Sequence, residues 1–102
     1  MLKMGFDQAL KALKNGMCVQ RLGWNGEDMY LYLVNGSRFE VNREPLSRHL
    51  PMGTVVTYRP HIDMRAADGS FVPWLASQSD LLEEDWVVCN PPDEKQIDLP
   101  IG

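Results

Sequence analysis

One turn constrains this chain more than any other feature. Asp68-Gly69 lies between two runs of alternating side-chain chemistry. Both residues tolerate positive φ, so the pair reads as a two-residue hairpin turn. Before it, Tyr58, Pro60, Ile62, Met64 and Ala66 point one way, and Arg59, His61, Asp63 and Arg65 point the other. A two-residue loop sets Arg65 opposite Val72 and Asp63 opposite Trp74, with Ala66 opposite Phe71 on the reverse face. One face is then a core. The other carries cations, a carboxylate, a histidine and an indole, which suits a ligand that is planar and charged.

The length of 102 residues suits a single domain. Residues 1–89 read as that domain, and residues 90–102, opening with Asn90-Pro91-Pro92, are expected to form a mobile tail. A chain of this size buries roughly two-thirds of its unfolded surface, enough for one core. Net charge is −4 and no Lys/Arg run occurs, which argues against a nucleic-acid binder. A local arginine cluster can still attract a small anion against that net charge. Cys18 and Cys89 sit in apolar segments without zinc-ligand spacing, so they read as reduced, buried thiols. There is no signal peptide and no apolar run near eighteen residues, so no membrane span is expected.

Phe6, Leu10, Leu13 and Met17 recur at helical spacing, which predicts a helix from about Phe6 to Lys14. Gly16 fits the left-handed position that ends it, with Met17 covering the end. Cys18 to Arg21 reads as a strand. In the loop that follows, Gly23 and Gly26 bracket Trp24 and Asn25. Trp24 either plugs the core edge or stands as an exposed aromatic platform beside Arg21 and Asn25. Met29 to Val34 reads as a strand whose tyrosines, Tyr30 and Tyr32, share the polar face with residues 59–65 and Trp74. Residues 35–57 read as an excursion from the sheet. It holds a strand near Phe39–Arg43, a helix start at Glu44-Pro45, and Thr54–Thr57 leading into the central hairpin.

Ser77-Gln78-Ser79-Asp80 fits a capping box that opens a short helix with Leu81 and Leu82 buried. Glu83, Glu84 and Asp85 read as a solvated face, and Trp86 as core within a final strand. The fold class is therefore α+β: a small antiparallel sheet, an N-terminal helix, and a short helix before the last strand. His61 and Asp63 could serve as a general base or metal pair. No third ligand or placed nucleophile accompanies them, so a charge network with Arg59 and Arg65 accounts for them, and no catalytic or metal site and no cofactor is expected.

Several blocks carry a family resemblance. They are Arg59-Pro60-His61-Ile62-Asp63-Met64, Ala67-Asp68-Gly69, Val72-Pro73-Trp74, Ala76 to Leu81 and Glu84-Asp85-Trp86. Upstream are Gly23-Trp24-Asn25-Gly26, Met29-Tyr30-Leu31 and Phe39, Val41-Asn42-Arg43, Pro45-Leu46. Together they resemble the second type of phage Thoeris anti-defence protein over about residues 5–88. That resemblance implies a non-enzymatic sponge in the host bacterial cytoplasm. Such proteins sequester a cyclic ADP-ribose signal, assemble as homotetramers with pockets where subunits meet, and in some members bind cyclic dinucleotides at a separate site. It also implies that Trp24 contacts the ligand. From chemistry and neighbourhood, Arg21, Arg59 and Arg65 are candidates for the phosphates and Asn25, Ser77 and Asp80 for hydroxyls. Tyr30 and Trp74 complete the expected aromatic surface. The competing expectations are a nucleotide hydrolase using His61 and Asp63, or a purely structural phage protein.

Overall fold

The computed structural model describes residues 2–24 and 28–90. Its elements run α1 (Phe6–Lys14), β1 (Cys18–Arg21), β2 (Tyr30–Val34), β3 (Ser37–Glu40), a 3-10 turn (Leu46–Arg48), β4 (Val55–Tyr58), β5 (His61–Arg65), β6 (Phe71–Pro73), α2 (Gln78–Leu82) and β7 (Trp86–Cys89). Five strands form one antiparallel sheet in the order β6-β5-β2-β1-β7, and β3 pairs with β4 in a separate ribbon. This is the α+β class expected from the sequence.

The apolar stripe of α1 explains both the helix and its position. Ala9, Ala12 and Leu13 are buried, and the helix packs on β1, β2 and β7. Asp7 in the first turn and Lys11 and Lys14 in the last complement the helix dipole. At the C-terminus the Gly16 N–H donates to Leu13 O and the Met17 N–H to Ala12 O, each at 3.0 Å, with Gly16 at φ +86°. This is a Schellman end, as its glycine predicts. The Met17 side chain does not cover it and stays 48% exposed. Below the helix, Leu13, Val19, Leu31 and Trp86 are fully buried. Each buried aliphatic side chain contributes about 1.5–3 kcal/mol.

The central hairpin forms, but its register differs by one residue from the expectation. Arg65 faces Phe71, Met64 faces Val72 and Asp63 faces Pro73. The loop is longer than two residues: Gly69 N–H donates to Ala66 O at 2.9 Å and Ala66 N–H to Ser70 O at 2.7 Å. Gly69 alone in this loop has positive φ, at +90°. An Asp-Gly turn of type I′ needs two such residues, whereas the three-residue loop needs one. Asp68 Oδ1 secures it by accepting from the Ser70 N–H at 2.9 Å and hydroxyl at 2.6 Å. Because side chains alternate with period two, a one-place slip exchanges the faces. Phe71 joins the polar face, and Trp74 turns to the core, packing against Phe6 and Trp86.

The expected strand over residues 58–66 is broken at Arg59-Pro60. Tyr58 ends β4 in the ribbon, where Ser37 faces it, while His61 begins β5 in the main sheet. Residues 35–57 do leave the sheet, as expected, although the β3 strand lies at Ser37–Glu40 and Val55–Tyr58 pairs with it instead of entering the hairpin. In α2 the capping box is complete, with Ser77 as N-cap and Asp80 as its reciprocal partner. Leu81 and Leu82 are not buried; they are 45% and 75% exposed. Asp80 is the residue that faces inward, and at about 100° per residue its two successors are carried off that face. The tail after Asn90 lies outside the described residues.

Candidate functional site

Arg21 ends β1 on the helix-bearing face, opposite Trp86. Its Nε donates to Asp85 Oδ1 at 2.9 Å, its Nη2 to Asp85 Oδ2 at 3.4 Å, and its Nη1 to Asp80 Oδ1 at 2.9 Å. The side chains of Arg21 and Asp80 are only 13% and 11% exposed, and that of Asp85 is 24% exposed. Trp24 joins the same group: its Nε1–H donates to Asp80 Oδ1 at 3.2 Å. Asp80 Oδ2 accepts from the Ser77 N–H at 3.0 Å, and the Trp86 Nε1–H donates to Asp80 O at 2.8 Å. One aspartate thus caps α2, holds Arg21 and orients two indoles.

Gly23 shows why this loop carries a glycine. Its N–H donates to Asp85 Oδ2 at 2.8 Å. A Cβ at this position would stand 2.7 Å from that oxygen, closer than any side chain allows.

The charges reinforce each other. Asp85 lies below the usual carboxylate range because Arg21 forks onto it, outweighing a smaller burial effect. Burial raises Asp80, but the Ser77 N–H, Arg21 and Trp24 together bring it below that range. Arg21 is raised, through Asp85 first, against its own burial, and then through Asp80. One guanidinium therefore neutralises one of two carboxylates, and its donors already face protein oxygens.

Trp86 lies at the centre of an aromatic cluster. Trp24 meets it edge-on at 5.4 Å between ring centroids and 79° between planes. Trp74 meets it at 6.0 Å and 85°, and Phe6 at 5.2 Å. Trp86 is fully buried, while Trp24 and Trp74 are partly exposed. Trp24 plugs the core edge and keeps part of its surface in contact with solvent.

The opposite sheet face carries Tyr30 beside Arg65, Tyr32 beside Asp63 and Val34 beside His61. Tyr30 is only 6% exposed, so it supports this face more than it presents a ring. Tyr32 meets Tyr30 at 6.1 Å and Phe71 at 6.0 Å. The Tyr32 hydroxyl is raised, by burial first, then by Asp63 and Cys18. His61 Nε2 stands 3.3 Å from Asp63 Oδ1, without hydrogen-bond geometry. Arg65 Nη1 donates to Asp28 O at 3.2 Å. The loop bearing Trp24 is therefore held at its start by Asp80 and Asp85 and at its end by Arg65.

Of the expected site residues, Arg21, Trp24, Ser77 and Asp80 converge directly, and Trp74 joins them through Trp86. Tyr30 and Arg65 lie at the far end of the same loop, on the other face. Asn25 lies outside the described residues. Arg59 is exposed in the β4–β5 connection, beside a shallow hollow with Gly36, Arg38 and Tyr58. A further depression of about 680 Å³ opens in the ribbon region, lined by Phe39, Val41, Arg43, Pro45 and Tyr58 among others. Among the described residues no three His, Cys, Asp or Glu side chains cluster to hold a metal. Sequence reasoning missed Asp85, which it placed on a solvated face. Only the pairing of β1 with β7 brings it to Arg21.

The pattern model of the Thoeris anti-defense 2-like domain matches residues 4–89. The chain belongs to the Thoeris anti-defense 2-like family. The match runs from Met4, which bridges to Trp86, to Cys89 at the end of β7. Thoeris anti-defense 2 of Bacillus phage SP01 is similar to it: 34% identical over 93 residues, covering 82% of this chain and 92% of the phage protein. The family is one of phage anti-defence against Thoeris, and that is this domain's functional class. Among the described residues, no helix is long and apolar enough to cross a membrane.

Proposed function

We propose that this Thoeris anti-defence domain captures a cyclic ADP-ribose-type nucleotide and withholds it without cleaving it. The observation that carries this reading is Trp24: a partly exposed indole in a loop, braced edge-on by Trp86 and tethered through its N–H to Asp80. Such a ring is preorganised to stack a base, and stacking is worth about 1–3 kcal/mol per base. Arg21 and Asp80 act mainly by holding Trp24, since their strongest groups already face each other. The phosphates then fall to cations elsewhere, with Arg65 and Arg59 the candidates, and Asn25 and Ser77 remain candidates for the hydroxyls.

A sponge must outcompete the effector it starves. Nanomolar affinity requires about −12 kcal/mol, which a surface indole and a few polar groups do not supply alone. A homotetramer, with each pocket closed by a second protomer, supplies the missing enclosure. The ribbon depression offers Phe39 and Tyr58 rings beside Arg43. That chemistry suits a second nucleotide class such as a cyclic dinucleotide. The setting of this activity is the host bacterial cytoplasm, where such signals are made.

The test is retention and release. Purified protein is incubated with cyclic ADP-ribose isomers, freed of unbound ligand, and heated; the supernatant is then chromatographed. Intact cyclic nucleotide is expected. A linear product would replace the sponge with an enzyme and point to His61 and Asp63, which stand 3.3 Å apart. Trp24→Ala is expected to lose retention while keeping the wild-type oligomer and circular dichroism. Undiminished retention would remove Trp24 from the site.

A further inference from the structure

Cys18 and Cys89 are separated by most of the chain, yet β1 and β7 set them directly opposite each other. Neither is in a disulfide, and both are of intermediate burial. Trp86 exchanges both its N–H and its C=O with Met4, at 3.1 and 2.9 Å, so its pairing with Arg21 is a non-hydrogen-bonded rung. Rungs alternate along an antiparallel ladder, which makes Cys18↔Cys89, three places on, a hydrogen-bonded one. Cα atoms in such a rung lie about 5.5 Å apart, within the range that a disulfide spans, while the Cβ atoms, also about 5.5 Å apart, must draw together by roughly 1 Å, which strains the bond and keeps it reducible. The two side chains necessarily share a face, the one that carries Gln20, Tyr30 and Tyr32.

We propose that Cys18 and Cys89 form a reversible cross-strand disulfide by exchange with a low-molecular-weight disulfide such as oxidised glutathione. In the first step one protein thiolate attacks a glutathione sulfur, the glutathione S–S bond breaks, and glutathione thiolate leaves and takes up a proton. The second protein thiolate then attacks the protein sulfur of the mixed disulfide and expels the second glutathione. The protein loses two electrons and two protons, and the glutathione disulfide gains them. Burial, with Cys18 adding to it, pushes the Cys89 thiol up to about 11. Thiolate is therefore scarce at neutral pH, and the exchange accelerates as pH rises. In a reducing cytosol the pair stays open. Under oxidative stress the bond pins β7, which carries Trp86 and follows Asp85, to β1, which carries Arg21.

The full chain is incubated, folded, with oxidised glutathione at mildly alkaline pH and analysed by intact mass and thiol titration. The expected product is monomeric, lighter by two hydrogen atoms, without free thiols, and restored by dithiothreitol. It should melt roughly 10 °C higher than the reduced form, because closing a loop of about 70 residues outweighs the strain in the bond. Cys18→Ser should instead gain one glutathione at Cys89. Stable glutathione adducts or linked dimers of the wild type would overturn the proposal. So would thiols that react only after denaturation, or an unchanged melting temperature in the oxidised product.

Discussion

Arg21→Met removes the cation from between two carboxylates while keeping most of the side chain's bulk. Wild-type Arg21 makes three hydrogen bonds to Asp80 and Asp85, at 2.9, 2.9 and 3.4 Å. Asp85, 24% exposed, can recover part of its solvation, but Asp80, 11% exposed, cannot recover much. Hydrogen bonds to charged groups contribute about 1.5–3 kcal/mol each, and unpairing a fully buried ion costs about 3–5 kcal/mol. Allowing for solvent at Asp85, the expected loss is about 2–4 kcal/mol. For a fold of this size that lowers the melting temperature by roughly 10–25 °C. Urea unfolding followed by tryptophan fluorescence and circular dichroism reads it directly. The triple variant Arg21→Met, Asp80→Asn, Asp85→Asn removes the stranded charges and is expected to be more stable than Arg21→Met alone by about 1 kcal/mol or more. A loss under about 0.5 kcal/mol for Arg21→Met, the size of an exposed surface pair, would refute the view that this arginine locks the loop.

Trp86→Ala deletes the fully buried ring that Phe6, Trp24 and Trp74 all touch, and is expected to cost about 3–5 kcal/mol; a soluble variant with a native melting curve would show that the cluster is not the core of the domain. Ser77→Ala removes the N-cap of α2 and should cost about 1 kcal/mol by denaturant titration, with an unchanged midpoint counting against the capping box. Acid should weaken the fold through Asp80 and Asp85. Both lie below their ordinary value of 3.8 in the folded chain, so the unfolded chain binds protons first. Their contribution is complete above that value and drains away as pH falls below it toward the folded values. Stability measured from pH 6 downward should stay level and then drop below about pH 4, more steeply in wild type than in the Arg21→Met, Asp80→Asn, Asp85→Asn variant; equal slopes would exclude these carboxylates as the cause.

Much of the candidate site was legible locally. Trp24 between two glycines marked a loop, and Ser77 with Asp80 marked a helix start. Asp85 was not legible, because three consecutive acids beside a helix end look alike in a string. What separates Asp85 from Glu83 and Glu84 is a partner 64 positions away. Leu81 and Leu82 misled for the converse reason: apolar residues after a cap suggest burial, but Asp80, bonded to Arg21 and Trp24, takes the inward face of a helix only five residues long.

The sequence by itself determined what depends on neighbours a few residues away. Its apolar period and Gly16 bounded α1, its alternation separated the faces of β2 and β5, its capping box opened α2, and its motif blocks carried the family. Tertiary structure decided what depends on registry and on distant pairing. The loop at Ala66–Ser70 took three residues instead of two, which turned Trp74 inward and Phe71 outward. The placement of β7 beside β1 gave Arg21 its second carboxylate, gave Trp24 its indole support, and set Cys18 against Cys89. Helical period and caps are local energies of single turns, whereas a strand's neighbour is chosen by the burial of the whole sheet.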